Sequence, residues 1–267
     1  MAAAVSIDWD LLEWPAILEA SPDVPWLVEG LRLAPGAITI FAGRGYSRKT
    51  LSVQSLALSV ACGMPVWEGD TPRERGDVVH LDYEQGKRLT ADRYRRIARS
   101  MGANPMLYGP RALRLGDLPK PSLSVEASVD SLEAQIEGAK LVIVDSLAAS
   151  MPGVDENSTV MRVPLDRLTK LSNRMQCTFI LIHHARKDSQ NPKAVNDPLE
   201  SLRGASAIVD AAQTIWHFDG DADRTVASLI KDRISGSVGV KRHIRSIDTD
   251  PQTLRITSAT GGVQKAS

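Results

Sequence analysis

Ala37-Ile-Thr-Ile-Phe-Ala-Gly-Arg-Gly-Tyr-Ser-Arg-Lys-Thr50 is the stretch whose reading decides the fold. Ile38, Ile40 and Phe41 are apolar and mostly β-branched, as in a buried strand. Gly43 and Gly45 follow at once, and Lys49-Thr50 open an apolar helix running from Leu51 to Cys62. Strand, glycine turn, Lys-Thr and helix in that order match the phosphate-loop pattern G-x-x-x-x-G-K-[ST]. Backbone N–H groups in such a loop surround phosphate oxygens, and the helix N-terminus favours their charge. Gly43, Arg44, Gly45, Tyr46, Ser47, Arg48, Lys49, Thr50 and Leu51 are therefore the candidate nucleotide-binding residues. Lys49 would neutralise the β- and γ-phosphates, and the Thr50 hydroxyl would ligate Mg²⁺. One position departs from the pattern: Arg48 stands where a glycine is expected. The bland alternative is a strand–turn–helix whose lysine is merely solvated.

Composition bounds what the site can serve. The chain has 267 residues, enough for one large α/β domain with its own core. Lys+Arg and Asp+Glu are both 32, so no overall field attracts polyanions, and contact with nucleic acid must rest on local patches. Cys62 and Cys177 sit in apolar runs and read as buried small hydrophobes, with no metal-ligand spacing around them. No apolar span approaches 18 residues, and the N-terminus lacks a charged segment before an apolar run. The expectation is a soluble cytoplasmic protein with no membrane partner.

Outward from the loop, residues 1–35 precede the core and carry Trp9, Trp14 and Trp26. They read as a strap, with a short helix over Asp10 to Ala20, that folds back on its own core or docks on a neighbour as an oligomerisation segment. Residues 36–267 read as one domain. Asp77 to Asp82 is a second strand running into Tyr83-Glu84, and ligands of open α/β sheets gather beyond such strand ends. Lys87 to Arg99 is a basic helix, more simply a solvated face than a nucleic-acid surface. Leu107 to Leu115 is expected to form a short strand pair, and Ser131 to Gly138 a helix. Leu141-Val-Ile-Val-Asp145 is the clearest strand: a continuous apolar run ending in an aspartate, the pattern of a central parallel strand. Asp145 is the candidate second Mg²⁺-holding group. A helix over Val160 to Met175 precedes the strand Thr178 to Ile182, which runs into His183-His184. Adjacent histidines on a strand point to opposite faces, so one can face the nucleotide while the other packs. Ala205 to Ala212 reads as a helix and Thr214 to Phe218 as another strand. Val226 to Ile230, Val238 to Ile247 and Leu254 to Ile256 look antiparallel.

These motifs stand in the order found in RecA-like ATPases. Leu141 to Ala149 resembles that family's Walker B strand, His80-Leu-Asp-Tyr-Glu84 its catalytic-glutamate segment, and Ile182-His-His-Ala-Arg186 its γ-phosphate sensor. The whole arrangement most resembles the RepA-type hexameric helicases, through Trp26 to Leu31, the His-His pair and Arg203 to Ser206. Lys231-Asp-Arg233 resembles the Lys-x-Arg element that hexameric helicases insert into a neighbouring site. The resemblance implies a mostly parallel central sheet with an antiparallel C-terminal extension, and ATP with Mg²⁺ held at the subunit boundaries of a ring or filament, expected to be a hexamer. It implies that Glu84 activates water, that Asp145 and Thr50 position Mg²⁺, and that His184 senses the γ-phosphate. Lys49, Lys231 and Arg233 would stabilise phosphoryl charge. It also implies contact with single-stranded nucleic acid through Arg186, Lys187 and the loop from Asp188 to Leu202, helped by Lys193. Function then divides between an oligomeric ATPase acting on nucleic acid, such as a helicase or translocase, and a nucleotide-binding assembly subunit that has lost hydrolysis. Arg48 favours the second, and the retained Lys49, Thr50, Glu84, Asp145 and His184 favour the first.

Overall fold

The computed structural model describes residues 13–15, 24–67, 70–116, 120–155, 158–184, 202, 206–220, 225–235 and 242–264, with 242–248 and 257–264 described by their backbone. The described strands form one sheet in the order β3-β2-β4-β5-β1-β6-β7-β8-β9. β1 is Ile38–Gly43, β2 Asp77–Asp82, β3 Leu113–Leu115, β4 Ala139–Asp145, β5 Thr178–His184 and β6 Thr214–Gly220. These six run parallel to one another. β7 (Thr225–Asp232), β8 (Arg242–Thr249) and β9 (Ile256–Gln264) extend the sheet antiparallel from β6. This is the mostly parallel sheet with an antiparallel extension that the motifs imply.

Period-2 alternation sorts the apolar side chains of the parallel strands into two layers. Phe41, Leu141, Ile143, Ile180 and Ile182 face one way, onto α1 (Lys49–Cys62) and α2 (Lys87–Met101). Ile40, Val142, Val144, Phe179 and Leu181 face the other, onto α3 (Glu126–Ile136), α4 (Leu147–Ser150), α5 (Arg162–Met175) and α6 (Ser206–Ala211). A strand buried on both faces must be apolar at nearly every position, which is why β1, β4 and β5 are continuous hydrophobic runs. α1 is likewise buried nearly all round, from Ser52 to Cys62. Before β1, Leu27, Val28, Leu31 and Leu33 pack into the first layer. The Trp216 indole donates to the Leu31 carbonyl at 2.9 Å, and Arg32 pairs with the buried Asp232 at 3.3 Å.

Some expectations shift. Leu107 to Leu115 is not a strand pair. Asn104 caps a 3₁₀ turn over Pro105–Tyr108, Gly109 breaks the chain at φ 122°, and only Leu113–Leu115 extends, pairing parallel with β2 at the sheet edge. The helix expected from Ser131 begins at Glu126 and ends at Ile136. Most of the helix expected over Asp10 to Ala20, the turn at Gly236, Arg203-Gly204, and Arg186, Lys187 and Lys193 lie outside the described residues.

Candidate nucleotide site

Parallel strands end on the same edge of a sheet, and the registers show which residues meet there. Gly43 of β1 is opposite His184 of β5, and Asp82 of β2 is opposite Asp145 of β4. The loop after β1 and the start of α1 lie over this edge. They form one wall of a crevice of about 540 Å³, lined also by Glu84, His184, Arg93, Arg96 and Leu254.

The loop is built by glycine where the backbone is crowded. Gly43 has φ 154°, and a Cβ there would lie 2.2 Å from the Phe218 carbonyl oxygen of β6. Gly45 is different, since a Cβ there would meet nothing within 4 Å. Arg48 caps the N-terminus of α1 in the left-handed region, at φ 62° and ψ 16°, which explains why glycine is the residue expected there. Tyr46 is also left-handed, at φ 65°, and its side chain is almost wholly exposed. Lys49 is buried; its ammonium donates to the carbonyls of Gly43 at 2.8 Å and Arg44 at 2.6 Å and to Ser47 Oγ at 3.1 Å. Burial lowers its pKa to about 8, against the pull of Asp145 and Glu84.

The acidic side of the crevice is assembled from three strands. Thr50 Oγ1 donates to Asp145 Oδ2 at 2.8 Å. Asp145 is buried, and desolvation raises its pKa to about 6 although the Thr50 hydrogen bond opposes the shift. Its Oδ1 is buried without a hydrogen-bond partner. A buried carboxylate with an open oxygen beside a threonine hydroxyl suits Mg²⁺, which takes one or two protein ligands and keeps waters and phosphate oxygens for the rest. Among the described residues no cluster of three or more His, Cys, Asp or Glu offers an all-protein metal cage.

Glu84 lies on the turn after β2. Its Oε1 accepts from Ser146 Oγ at 2.6 Å and lies 2.9 Å from His184 Nε2. His183 is buried, and desolvation with the nearby His184 and Lys49 lowers its pKa to about 4. The histidine pair therefore divides as strand alternation requires: His184 at the crevice, His183 packed. Sequence reasoning missed Ser146, whose only signal was its place directly after Asp145. It also missed Arg93, Arg96 and Leu254. Arg96 donates to the carbonyls of Pro251 at 3.1 Å and Gln252 at 2.6 Å, tying α2 to the β8–β9 turn, and no local pattern announces that contact.

Lys231 and Arg233 do not reach this crevice. Lys231 donates to the Val209 carbonyl and Arg233 to the Asp210 carbonyl at 3.1 Å, so both cover the C-terminal end of α6. Desolvation lowers the Lys231 pKa to about 8. A role for Arg233 in a neighbouring site requires it to leave that carbonyl.

A family model described as AAA domain matches residues 9–190. Among solved structures, one described as an ATPase domain is similar at TM-score 0.65 and 12% identity, over 91% of this chain and 95% of that one. The RadB recombinase matches at TM-score 0.58 and 19% identity, over 84% and 91%. A DnaB-like replicative helicase, in a structure describing its interactions with primase, matches at TM-score 0.61 and 13% identity, over 91% of this chain and 66% of that one. These likenesses establish the fold.

Proposed function

The chain belongs to the AAA domain family, and on that premise we propose that it is an oligomeric RecA-like ATPase acting on nucleic acid, a helicase or translocase of the RepA type. One observation carries the reading. Thr50, bonded to Asp145 at 2.8 Å, and Glu84, held by Ser146 and His184, line the same crevice as the buried Lys49. A chain that had abandoned hydrolysis would have no reason to keep that arrangement.

In this reading ATP is the substrate, and its triphosphate lies on the N–H groups of the Gly43 to Thr50 loop. Thr50 and Asp145 hold Mg²⁺, which when bound neutralises charge on the β- and γ-phosphates. Lys49 exchanges its loop carbonyls for phosphate oxygens. Glu84 takes a proton from a water whose oxygen bonds to the γ-phosphorus. The bond from that phosphorus to the β–γ bridging oxygen breaks, and its electron pair leaves with ADP. Ser146 and His184 aim the Glu84 carboxylate. His184 is placed to register loss of the γ-phosphate and pass it to the chain that follows β5. Arg186, Lys187 and Lys193 lie in that following stretch and are assigned to single-stranded nucleic acid. Arg233, with Lys231, is assigned to a neighbouring subunit's phosphates, a role worth about 10³-fold or more in related chemistry.

A nucleic-acid role agrees with the recombinase and the replicative helicase among the structurally similar proteins. The left-handed Arg48 favours a second reading, a nucleotide-binding assembly subunit with little or no turnover. ATP hydrolysis measured with and without single-stranded DNA separates them. Turnover stimulated by DNA supports the motor. ATP binding without hydrolysis, or hydrolysis indifferent to any nucleic acid, supports the assembly subunit or a different client.

A further inference from the structure

Glu84 sits on a turn, yet a hydrolytic base must be held to a fraction of an ångström. The strongest restraint on that turn comes from Asp82. Its carboxylate is buried, and Oδ1 accepts the backbone N–H of Glu84 at 3.0 Å and of Gln85 at 2.8 Å. Oδ2 accepts the hydroxyl of Thr90, a buried residue on the first turns of α2. One carboxylate thus fixes the backbone on which Glu84 is carried and the helix that follows it. Hydrogen bonds to an ionised acceptor are the strong kind, and an aspartate closing onto the N–H groups two and three residues on is a local turn device.

A second contact keeps the first in register. His80 lies two residues before Asp82 and so shares its face of β2. Tyr94 lies four residues after Thr90 and so shares its face of α2. His80 Nδ1 and the Tyr94 hydroxyl are 2.9 Å apart, both side chains buried. The two rungs, Asp82–Thr90 and His80–Tyr94, prevent α2 from sliding along β2. The Tyr83 N–H adds a link to the Asp145 carbonyl at 2.5 Å, so the turn is also joined to the strand that bears the Mg²⁺ carboxylate. Asp82 lies in register with Asp145 across β2 and β4.

We propose that Asp82 is the positioning residue for Glu84: it sets the turn so that the Glu84 carboxylate meets Ser146 and His184 at the crevice, without itself touching substrate. The inference rests on the ATPase reading. It predicts that losing the Asp82 carboxylate harms the chemical step and spares nucleotide affinity, because the side-chain hydrogen bonds of Lys49 and of the Thr50–Asp145 pair do not run through that carboxylate.

The test is steady-state hydrolysis and binding of a non-hydrolysable ATP analogue for wild type, Asp82→Ala, Asp82→Asn, Thr90→Val, Glu84→Gln and the double variant Asp82→Ala/Glu84→Gln. Asp82→Ala should lower kcat by about 10²-fold, the cost of a misplacement near 1 Å. Its analogue affinity should stay within about threefold, well inside the context-dependent spread of such effects. Asparagine keeps the Oδ1 acceptor and should recover about tenfold of that loss. Thr90→Val, which removes one bond and little volume, should lower kcat by about three- to tenfold with unchanged affinity, and it carries the test if Asp82→Ala does not fold. Because Asp82 acts through Glu84, the double variant should be about as slow as Glu84→Gln alone. Multiplicative losses in the double variant, a loss confined to KM, or wild-type turnover in both Asp82→Ala and Thr90→Val would overturn the proposal and leave the ATPase reading standing. A wild type that binds the analogue and never hydrolyses ATP would overturn the ATPase reading and this inference together.

Discussion

Arg48→Gly is the perturbation that the loop geometry makes most informative. Arg48 holds φ 62° and ψ 16° at the cap of α1, a conformation that costs a residue with a Cβ about 1–2 kcal/mol and glycine almost nothing. Part of the gain is returned, because glycine loses about 0.5–1 kcal/mol more backbone entropy on folding. The net effect on stability is therefore a gain of about 1 kcal/mol or less. The effect on ATP is larger if the strain is felt most when the loop closes on phosphate. Relief of about 1–2 kcal/mol then corresponds to roughly 5- to 30-fold in affinity or turnover. The assay is ATP binding and steady-state hydrolysis for wild type, Arg48→Gly, Arg48→Ala and Lys49→Ala. Alanine separates the two roles of the side chain, since it keeps the strained Cβ and loses the guanidinium. Strain predicts a gain in Arg48→Gly that Arg48→Ala does not share. If Arg48→Gly instead lowers both affinity and turnover, the strain reasoning is refuted and the guanidinium is a phosphate ligand.

The two loop glycines should respond differently. Gly43→Ala places a Cβ against the Phe218 carbonyl and should abolish folding or soluble expression, whereas Gly45→Ala should leave the thermal midpoint within a few degrees. Hydrolysis should show two pH limits. Asp145, raised to about 6, must be ionised to hold Mg²⁺, so activity and Mg²⁺ affinity should fall as pH drops through about 6. Lys49, lowered to about 8, must be protonated, so ATP affinity should fall as pH rises through about 8 in titrations at fixed Mg²⁺. Folding takes the opposite sign for Asp145. A carboxyl raised in the folded state adds stability below its unfolded value near 3.9, and that contribution is lost as pH rises through about 6. Charge reversal at Arg233 should reduce hydrolysis while the chain stays folded; sedimentation showing only monomers with and without an ATP analogue would remove the trans role. Neutralising Arg186 and Lys187 should weaken single-strand binding and lower its salt slope by about one unit per lost phosphate contact, and an unchanged slope would move the contact elsewhere.

What the sequence determined by itself is local. β1, β4 and β5 are legible because a strand buried on both faces needs an unbroken apolar run, and β2 lies where its run and flanking glycine put it, at Asp77–Asp82. The loop from Gly43 to Thr50 and the strand-end residues Asp145 and His184 follow from motifs a few residues long. Glu84 was legible as a carboxylate beyond a strand end, and the left-handed Arg48 as a residue where glycine belongs. Only the tertiary structure decided how these groups meet. Ser146 reaches Glu84 across 62 residues of chain, Thr50 reaches Asp145 across 95, and His184 reaches Glu84 across 100. Such contacts depend on sheet order and register, which no local spacing encodes. The same holds for Arg96 against the β8–β9 turn and for Lys231 and Arg233 on the end of α6. It also explains the failed strand pair before β3. A three-residue edge strand exists only because β2 offers it backbone partners, and those partners come from elsewhere in the chain.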